Sequence, residues 1–541
     1  MSDIRKSDLF FDVGIDSFGF YTPANYVDLT ELAEIRNVDP NKYLKGLLTK
    51  EMRIPGPGED IVSMAVKACQ YAFMKGNIDP KDIDAIFLGT ETMTYAVKSV
   101  ANILSEILDT SINCVTQDVY NACAGETLAI LNAIGLINDG IINKALVIGA
   151  DICSYKLKSP GEPTQGAAAA AVVISKNPRI AAFGKKFGKF SANVYDFYRL
   201  PHEDYPVVFG KYSIDSYIQF QMGALDDFFR QIDTSIIPDY LVFHSPFAKL
   251  PLKNLQNLLV ERWEIMKKIL LENFQEKDSP VKVQEEACEY LDDLLKPTID
   301  KMQNEENLSN IEEIKNDLSK SITQKILPML NVPISIGNMY SASVWSQLIY
   351  LLESIANVDD LIYFGSYGSG ATCISGMLKV MPEFRDIVKK TPTVETFIHH
   401  KQRISIEDYE SLREKSDSLE FNYAYIEPYT LNGNCFMKMN VCEEGCLVSK
   451  LQGLNFCPEG RTNVFQKNLP FYAVVTSNPL ENVSDEELLT KDIVRVSQNT
   501  KKDQIVEINL LRMGMNESAH CIHNGYINWH PTYKPLTHPL K

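Results

Sequence analysis

The segment AIFLGTE at residues 85–91 indicates the fold, because a continuous apolar run passes abruptly into small and polar residues. A strand that is buried on both faces of a mostly parallel sheet has this pattern. The same pattern recurs in ALVIGAD at 145–151, YLVFH at 240–244 and LIYFGSY at 361–367. In open α/β sheets, ligands gather beyond the carboxyl ends of the strands, so the residues that follow these runs are candidates for a functional site.

Helical patterns separate the apolar runs, at residues 61–76, 97–108 and 216–232. Their alternation with strands predicts an α/β fold rather than an all-β fold or a helix bundle. Two strand-rich parts, roughly 8–180 and 181–250 plus 331–385, have similar patterns. We therefore predict two similar α/β halves, although no clear internal repeat relates their sequences.

The composition is typical of a globular protein with a large core. The chain has 541 residues, 45% of them hydrophobic, and a formal net charge of −17. This acidic balance argues against a nucleic-acid partner or an anionic membrane surface. The eleven cysteines form no regular framework, and the N-terminal residues show neither a secretory nor a transit pattern. With no apolar stretch of about 20 residues to span a bilayer, we expect a cytoplasmic protein.

The composition changes from about Lys253 to Leu330, where the sequence is rich in Glu, Lys, Asp, Asn and Leu with helical periodicity. Exposed amphipathic helices that pack on one face have this composition. We predict an N-terminal half over 1–180, a C-terminal half over 181–430 with a helical insertion at about 253–330, and an extension over 431–541 whose structure the sequence does not assign.

Cys123 lies in the run VYNACAGET at 119–127, just before the apolar stretch from Leu128 to Ile137, which is typical of a buried helix. A helix N-terminus favours the thiolate of a nearby cysteine through the helix dipole and main-chain N–H groups. The motif alone is equally compatible with a small buried hydrophobic residue.

Other candidates follow the predicted strands. Glu91 comes directly after one, where desolvation raises a carboxyl pKa toward the range of general acid–base catalysis. His244 follows another strand, with Lys249 five residues further on, an arrangement suited to polarising a carbonyl beside an anionic group. Asn338 and the glycine-rich segment at 365–370 supply amide and backbone donors. A carboxyl, a thiol and an imidazole at one sheet edge could abstract a proton, form a thioester and polarise a carbonyl.

The chain resembles the 3-hydroxy-3-methylglutaryl-CoA synthases of the thiolase superfamily. The matching motifs occur in the order of that family and cover most of residues 10–380: TKEMRIPGPGEDIVSMA (49–65), GTETMTYAVKSVA (89–101), NACAGET (121–127), GEPTQGAAAAA (161–171), YDFYR (195–199), GKYSIDSYI (210–218), FHSPFAKL (243–250), GNMYSASV (337–344) and SYGSGA (366–371).

The resemblance implies a thiolase-like fold with two α/β halves in a layered αβαβα arrangement. It also implies that Cys123 accepts the acyl group, Glu91 acts as general acid and base, and His244 polarises the acetoacetyl-CoA carbonyl. The remaining residues that it places at the substrate site are Asp151, Thr164, Asp196, Lys249, Asn338, Tyr340 and Ser369, with Lys249 facing the CoA phosphates or pantetheine.

The implied reaction condenses acetyl-CoA with acetoacetyl-CoA and water through an acetyl-Cys123 intermediate. It needs no metal or redox cofactor, because the CoA thioesters are its substrates. The family resemblance also implies a homodimer, an association with acetoacetyl-CoA thiolase in some members, and a place in the mevalonate pathway to isoprenoids.

Some features depart from the family pattern. Ala124 stands where eukaryotic-like members carry tyrosine, and the stretch GAAAAA at 166–171 is richer in alanine than the family pattern. A ketoacyl synthase of the carrier-protein type or a polyketide β-branching enzyme would also use Cys123, His244 and Asn338. A decarboxylative enzyme needs no carboxylate base at Glu91. A non-catalytic subunit of a thiolase-containing complex is the third alternative.

The C-terminal part contains Cys435, Cys442, Cys446 and Cys457, separated by six, three and ten residues, together with His520, Cys521 and His523. Structural zinc sites favour close cysteine pairs. We therefore predict no metal site there.

Overall fold

The computed structural model describes residues 9–56, 59–201, 203–232, 236–272, 274, 276, 283–305, 310–390 and 392–417, together with seven strands after residue 426. The chain forms two compact units. One comprises residues 1–54, 64–105 and 109–406, and the other comprises residues 55–63, 106–108 and 407–541.

The first part of the chain alternates strands and helices, with short 3₁₀ turns at Pro80–Asp82 and Glu162–Thr164. Its elements are β1 (Phe10–Tyr21), β2 (Asn25–Asp28), α1 (Leu29–Ile35), α2 (Asn41–Leu44), β3 (Glu51–Arg53), α3 (Ile61–Gly76), β4 (Ala85–Gly89), α4 (Val100–Ile107), β5 (Val115–Val119), α5 (Gly125–Asn138), β6 (Lys144–Cys153) and β7 (Gly166–Lys176).

The next part repeats this alternation and adds further helices, with a π-helical turn at Lys268–Glu272 and 3₁₀ turns at Leu327–Leu330 and Tyr340–Ala342. Its elements are β8 (Ala181–Gly184), β9 (Gly188–Ser191), β10 (Phe197–Tyr198), β11 (Val207–Val208), α6 (Gly210–Gln231), β12 (Tyr240–Phe243), α7 (Lys249–Glu261), α8 (Trp263–Lys267), α9 (Glu285–Glu289), α10 (Leu291–Glu305), α11 (Ile311–Lys325), α12 (Asn331–Ile336), α13 (Ser343–Ser354), β13 (Leu361–Gly368), β14 (Thr372–Val380), α14 (Arg385–Val388), α15 (Val394–His399), β15 (Gln402–Arg403) and α16 (Ile406–Asp417).

One mixed sheet of ten strands forms the framework, in the order β12-β13-β14-β8-β1-β7-β6-β4-β5, with β9 paired to β14. The same pairing pattern occurs twice. β4 is parallel to β6, which is antiparallel to β7, which is antiparallel to β1. Likewise β12 is parallel to β13, which is antiparallel to β14, which is antiparallel to β8. The predicted α/β fold with two similar halves is confirmed.

Two largely buried helices, α5 and α13, occupy equivalent places. The helix α5 packs on β4, β6, β7 and β1, while α13 packs on β12, β13, β1 and β7. A hydrogen bond from Trp345 Nε1 on α13 to Thr127 Oγ1 on α5, of 2.9 Å, joins them, and Thr127 donates to Ser366 Oγ on β13 at 2.8 Å. These contacts fix the start of α5 against the second half.

The predicted apolar runs are strands, but two of them are longer than predicted. The strand β6 continues past Ile148 to Cys153, and β13 continues past Phe364 to Gly368. The prediction that small and polar residues end these strands was therefore wrong for both. Their polar residues are buried and hydrogen-bonded, as Asp151 and Ser366 show, so the ladder can continue through them.

The described residues between Trp263 and Lys325 include the helices α8 to α11, whose apolar faces pack together and against α7. The shared core includes Leu255 and Leu258 of α7, Leu294 and Leu295 of α10, and Ile322 of α11. The opposite faces carry exposed charges, such as Lys296 and Asp300, which form an ion pair of 3.3 Å. The charged and apolar residues of the segment are thus divided between solvent and core.

The second unit contains a seven-stranded sheet formed by β16 (Glu427–Leu431), β17 (Asn434–Cys442), β18 (Leu447–Val448), β19 (Val464–Leu469), β20 (Ile505–Arg512), β21 (Met515–Ile527) and β22 (His530–Lys534). β17 pairs with β16, β18, β19 and β21, and β21 also pairs with β20 and β22. Among the described residues of the whole chain, no helix is long and apolar enough to cross a bilayer.

Candidate active site

Cys123 and Glu91 are in direct contact. The Cys123 Sγ donates a hydrogen bond to Glu91 Oε1 over 2.9 Å. Cys123 lies two residues before α5, which begins at Gly125. Ala122 adopts a left-handed backbone with φ of 43°, which is costly for a residue with a Cβ and is found where surrounding packing enforces it. This turn directs the thiol toward the end of β4.

Glycines let the nucleophile loop approach two strands. A Cβ on Gly89 would lie 2.5 Å from Glu126 Cα, so the end of β4 packs main chain to main chain on α5. A Cβ on Gly368 would lie 2.8 Å from the Ala124 nitrogen. The end of β13 therefore lies against the residue that follows Cys123, and the two halves meet at the thiol.

The Glu91 carboxyl group has a pKa raised to about 8. Burial is the largest cause, and the negative charge of Asp151 adds to it, whereas the Cys123 hydrogen bond and the Arg199 charge oppose it. Burial and the Glu91 charge also raise the pKa of the Cys123 thiol. At neutral pH the pair therefore mostly holds its protons. When Glu91 ionises, its carboxylate lies within hydrogen-bond distance of the thiol and can take the thiol proton.

Asp151 organises the loop that carries Glu91. Its fully buried carboxylate accepts hydrogen bonds from the main-chain nitrogens of Glu91 and Thr92, both at 2.9 Å, and from the hydroxyls of Thr90 and Thr92, both at 2.8 Å. The other carboxylate oxygen accepts from the nitrogen and hydroxyl of Ser341. Burial raises the pKa of Asp151, and these donors oppose the shift.

The turn before α13 links the two halves at this point. Ser341 binds Asp151, and two residues later Ser343 Oγ accepts a hydrogen bond from the Ser245 nitrogen at 3.2 Å. Ser245 directly follows His244, whose own nitrogen donates to the Gly365 carbonyl at 2.9 Å. Gly365 precedes Gly368 by three residues, about 10 Å along a strand. His244 is thus joined to β13, the strand whose end lies against Ala124.

The imidazole of His244 is fully buried, and neither ring nitrogen has a hydrogen-bond partner among the described residues. Burial lowers its pKa to about 3, so the ring is neutral at physiological pH. Its main-chain carbonyl accepts from the Tyr217 hydroxyl at 2.7 Å, which fixes the backbone. A buried ring with free polar atoms is suited to hydrogen-bond a substrate oxygen.

Asp196 holds the YDFYR segment to the turn between β13 and β14. Its carboxylate accepts from the Tyr367 hydroxyl at 2.9 Å, the Gly370 nitrogen at 3.0 Å and the Ser213 hydroxyl at 3.0 Å. Ser369 lies in the same turn. Asp196 therefore shapes the wall of the site by positioning neighbouring segments.

Asn338, Tyr340 and Thr164 form a second connected group. Asn338 Oδ1 accepts from the Tyr340 nitrogen at 3.0 Å, and the Asn338 nitrogen donates to the Thr164 carbonyl at 3.0 Å. The Thr164 hydroxyl bonds the Gly161 carbonyl, so it closes its own turn. Tyr340 packs in a buried cluster with Cys123 and therefore reaches the candidate nucleophile.

Lys249 has contacts of another kind. Its ammonium group donates to the Lys45 carbonyl at 2.9 Å and lies 4.1 Å from the centre of the Tyr290 ring. The structure thus joins Lys249 to the α2–β3 loop and to the helical segment 263–325, and among the described contacts none joins it to the Cys123 cluster.

Three residues at the site were not singled out from the sequence. Cys153 lies in the cluster of Cys123 and Tyr340, Tyr155 borders that cluster, and an Arg199 guanidinium nitrogen donates to the Glu91 carbonyl at 3.3 Å. Arg199 is part of the YDFYR motif, which was a usable signal. Cys153 and Tyr155 carried none, because only the end of β6, longer than predicted, brings them here.

Within the described part of the chain, no group of three or more His, Cys, Asp or Glu residues is arranged to hold a metal ion. The side chains of the C-terminal cysteines and histidines that raised the zinc question lie outside the described residues.

The site combines a thiol that can take up an acyl group with a carboxyl group that can take its proton, and it lies on a sheet built of two similar halves. These features define the class of thiolase-like acyl-condensing enzymes. Family models described as hydroxymethylglutaryl-coenzyme A synthase N terminal and C terminal match residues 10–179 and 182–426. The chain belongs to the hydroxymethylglutaryl-CoA synthase family and is an acyl-condensing transferase.

Individual relatives agree with this assignment. A hydroxymethylglutaryl-CoA synthase of Gibberella zeae is 32% identical over 389 residues, which cover 66% of this chain and 80% of the relative. One of Enterococcus faecalis is 27% identical over 406 residues, covering 74% and 91%. The solved structure of MvaS in complex with 3-hydroxy-3-methylglutaryl coenzyme A has a TM-score of 0.62 and 26% identity, covering 80% of this chain and 97% of MvaS.

Proposed function

We propose that this protein condenses acetyl-CoA with acetoacetyl-CoA and water to give 3-hydroxy-3-methylglutaryl-CoA and CoA, with Cys123, Glu91 and His244 as its catalytic residues. The observation that carries the proposal is the 2.9 Å hydrogen bond from the Cys123 thiol to the Glu91 carboxylate. Membership of the family supports the same reaction.

In the first step, the Cys123 sulfur attacks the carbonyl of acetyl-CoA while Glu91 takes the thiol proton. The positive end of the α5 dipole stabilises the negative charge that develops next to Cys123. Collapse of the tetrahedral intermediate expels the CoA thiolate, which takes the proton from Glu91 and leaves as CoA. An acetyl-enzyme and an ionised Glu91 remain.

In the second step, the Glu91 carboxylate removes a proton from the acetyl methyl group. The enolate carbon adds to C3 of acetoacetyl-CoA, and the carbonyl oxygen there becomes an alkoxide, which then takes the proton held by Glu91 to give the hydroxyl group. The neutral His244 ring donates a hydrogen bond to this oxygen, which explains why a buried imidazole with two unused nitrogens is useful. Water then hydrolyses the thioester to Cys123 and releases the product. These steps draw only on side chains and CoA thioesters.

The test is mass spectrometry after incubation with acetyl-CoA. We expect an acetyl adduct on the peptide that contains Cys123. Glu91→Gln should become acetylated more slowly, because the thiol loses its proton acceptor, and should fail to condense. Unimpaired product formation would remove Glu91 from the mechanism and favour a decarboxylative condensing enzyme. The matched control is Cys69→Ala, since Cys69 is a buried cysteine on α3 and its loss should leave the adduct in place.

Four residues line the acyl site in this proposal, namely Asp196, Asn338, Tyr340 and Ser369. Asp151 and Thr164 fix the loops behind them. CoA contact by Lys249 requires its ammonium to leave the Lys45 carbonyl. Lys249→Ala should then raise the KM for acetyl-CoA without changing kcat. An unchanged KM would remove Lys249 from the substrate site.

We also propose a homodimer that forms through β5, which is the last strand of its sheet. Ile112 is 71% exposed, and Val115 and Tyr120 are each 46% exposed. An open strand edge with apolar neighbours is suited to pair with a second copy. Native sizing should show twice the monomer mass, and Val115→Lys should weaken the association. A wild-type monomer would contradict the proposal.

Family models that meet near residue 180 support a boundary between the halves there, with the extension beginning near residue 431. We also propose that the protein is cytoplasmic, acts in the mevalonate route to isoprenoids and forms a complex with an acetoacetyl-CoA thiolase. Fractionation and co-purification from the native cells would test the location and the complex.

A further inference from the structure

Two cysteines line the same buried cluster. Cys123 is 7% exposed and Cys153 is 2% exposed, and they form a cluster with Tyr340, against which Tyr155 and Phe197 pack. A negative charge on Cys153 raises the pKa of the Cys123 thiol, as expected for close neighbours. Acyl transfer requires only Cys123, so the second thiol is unused by the proposed reaction.

The strand β6 points Cys153 toward the nucleophile. Its pairing with β7 runs without a bulge from Lys144 to Cys153, so residues two apart face the same side of the sheet. Asp151 and Cys153 therefore project alike, and the Asp151 carboxylate binds the Glu91 nitrogen at 2.9 Å. Glu91 in turn accepts from Cys123. Cys153 therefore lies on the side of β6 that faces the loop of Glu91, the residue that Cys123 binds.

We propose that Cys123 and Cys153 form an internal disulfide when the enzyme meets a peroxide, and that this bond reversibly blocks acyl transfer. The Cys123 thiolate attacks one oxygen of hydrogen peroxide, which gives a sulfenic acid and hydroxide. The Cys153 thiol then attacks the sulfenic sulfur, so that an S–S bond forms, the S–O bond breaks and water leaves. Two thiols are oxidised and one peroxide is reduced.

The geometry favours Cys123 as the thiol that is oxidised first. The ionised Glu91 carboxylate can take the Cys123 proton as the sulfur attacks peroxide, just as in the attack on acetyl-CoA. Peroxide is smaller than the acyl group that must reach the same sulfur. Cys153 then acts as the resolving thiol, because a sulfenic acid beside a second thiol condenses with it.

The experiment treats the reduced full-length protein with hydrogen peroxide, followed by peptide mapping under non-reducing conditions. The expected product has lost two hydrogen atoms and links the peptides that contain Cys123 and Cys153. Condensing activity should fall in parallel and return with dithiothreitol. Prior incubation with acetyl-CoA should protect the protein, since an acetylated Cys123 has no thiol to oxidise.

Two variants test whether Cys153 is the thiol that reacts with oxidised Cys123. In Cys153→Ala, peroxide should drive Cys123 to sulfinic or sulfonic acid, with a loss of activity that dithiothreitol does not reverse. The matched control Cys69→Ala removes a different buried thiol and should still form the disulfide. Direct overoxidation of Cys123 in the wild-type protein, or a disulfide that joins another pair such as Cys288 of two molecules, would overturn the proposal. Acetylation of Cys123 is measured separately, so this outcome is independent of the proposed condensation.

Discussion

The main-chain nitrogen of Glu91 donates a hydrogen bond to the carboxylate of Asp151 at 2.9 Å, and the other Asp151 oxygen binds Ser341. One buried carboxylate thereby holds the general base of the first half and the turn that leads to α13. Its hydrogen bonds set the position of Glu91, and its charge sets part of the Glu91 pKa.

Asp151→Asn should therefore damage both stability and catalysis. An amide presents donors to groups that are themselves donors, which costs about 2–4 kcal/mol when buried. Displacement of Glu91 should lower condensation by about a hundredfold, and loss of the charge should lower the Glu91 pKa. Urea unfolding and a pH–rate profile measure these effects. Asp118→Asn is the control, since Asp118 caps α4 through Val100 and Ala101. The Asp118→Asn variant should lose stability, but its pH–rate profile should not shift.

The rate of condensation should rise with pH and level off above about 8, because Glu91 must be ionised to remove the methyl proton and its pKa is raised to about 8. The positive charge of Arg199 lowers that pKa. Arg199→Met should therefore move the rising limb to higher pH, and Arg199→Lys should restore it partly.

The Arg199 effect should shrink at high salt, because exposed charges are screened. The control Arg262→Met removes an arginine that is paired with Asp226 and should leave the limb in place. A limb that does not respond to Arg199→Met would mean that Glu91 does not titrate in the profile.

Glu126→Gln should flatten the pH dependence of stability. Glu126 is fully buried in the first turn of α5, and burial raises its pKa well above the ordinary value. The folded state therefore binds the proton more tightly than the unfolded state, and the free energy of unfolding falls as pH rises from the unfolded pKa toward the folded pKa. Because the amide of Glu126→Gln cannot ionise, the measurement compares the slope of the free energy of unfolding against pH in the variant with that in the wild-type protein. The stability of the variant relative to the wild-type protein should therefore be higher on the alkaline side than in acid, by on the order of 1 kcal/mol. Parallel slopes would contradict this assignment.

Gly368→Ala should displace the nucleophile loop. The added Cβ would lie 2.8 Å from the Ala124 nitrogen and 2.9 Å from the Ala124 Cβ. Such overpacking costs about 1–3 kcal/mol, and acetylation of Cys123 should slow with it. The matched control is Gly135→Ala on the exposed side of α5, where nothing lies within 4 Å of the new Cβ. This second variant should be more stable by about 0.5–1 kcal/mol, with an unchanged acetylation rate.

Much of the framework could be predicted from local patterns. The apolar runs at 85–88 and 240–243 coincide with β4 and β12, and the helix predicted over 61–76 matches α3. The ends of β6 and β13 were missed, because buried polar residues such as Asp151 extend a strand only when tertiary partners satisfy them. Those partners are distant in sequence, so no local pattern reports them.

The sequence by itself determined the alternation of strands and helices, the thiol before an apolar helix, and the carboxyl group and imidazole after two strands. These depend on the period of apolar residues and on the chemistry of single side chains. Only the tertiary structure decided that Cys123 meets Glu91, that Cys153 shares their cluster, and that Lys249 binds the Lys45 carbonyl. Such contacts join residues far apart along the chain. Backbone approach at Gly89 and Gly368 creates them, and it depends on how whole strands and helices pack.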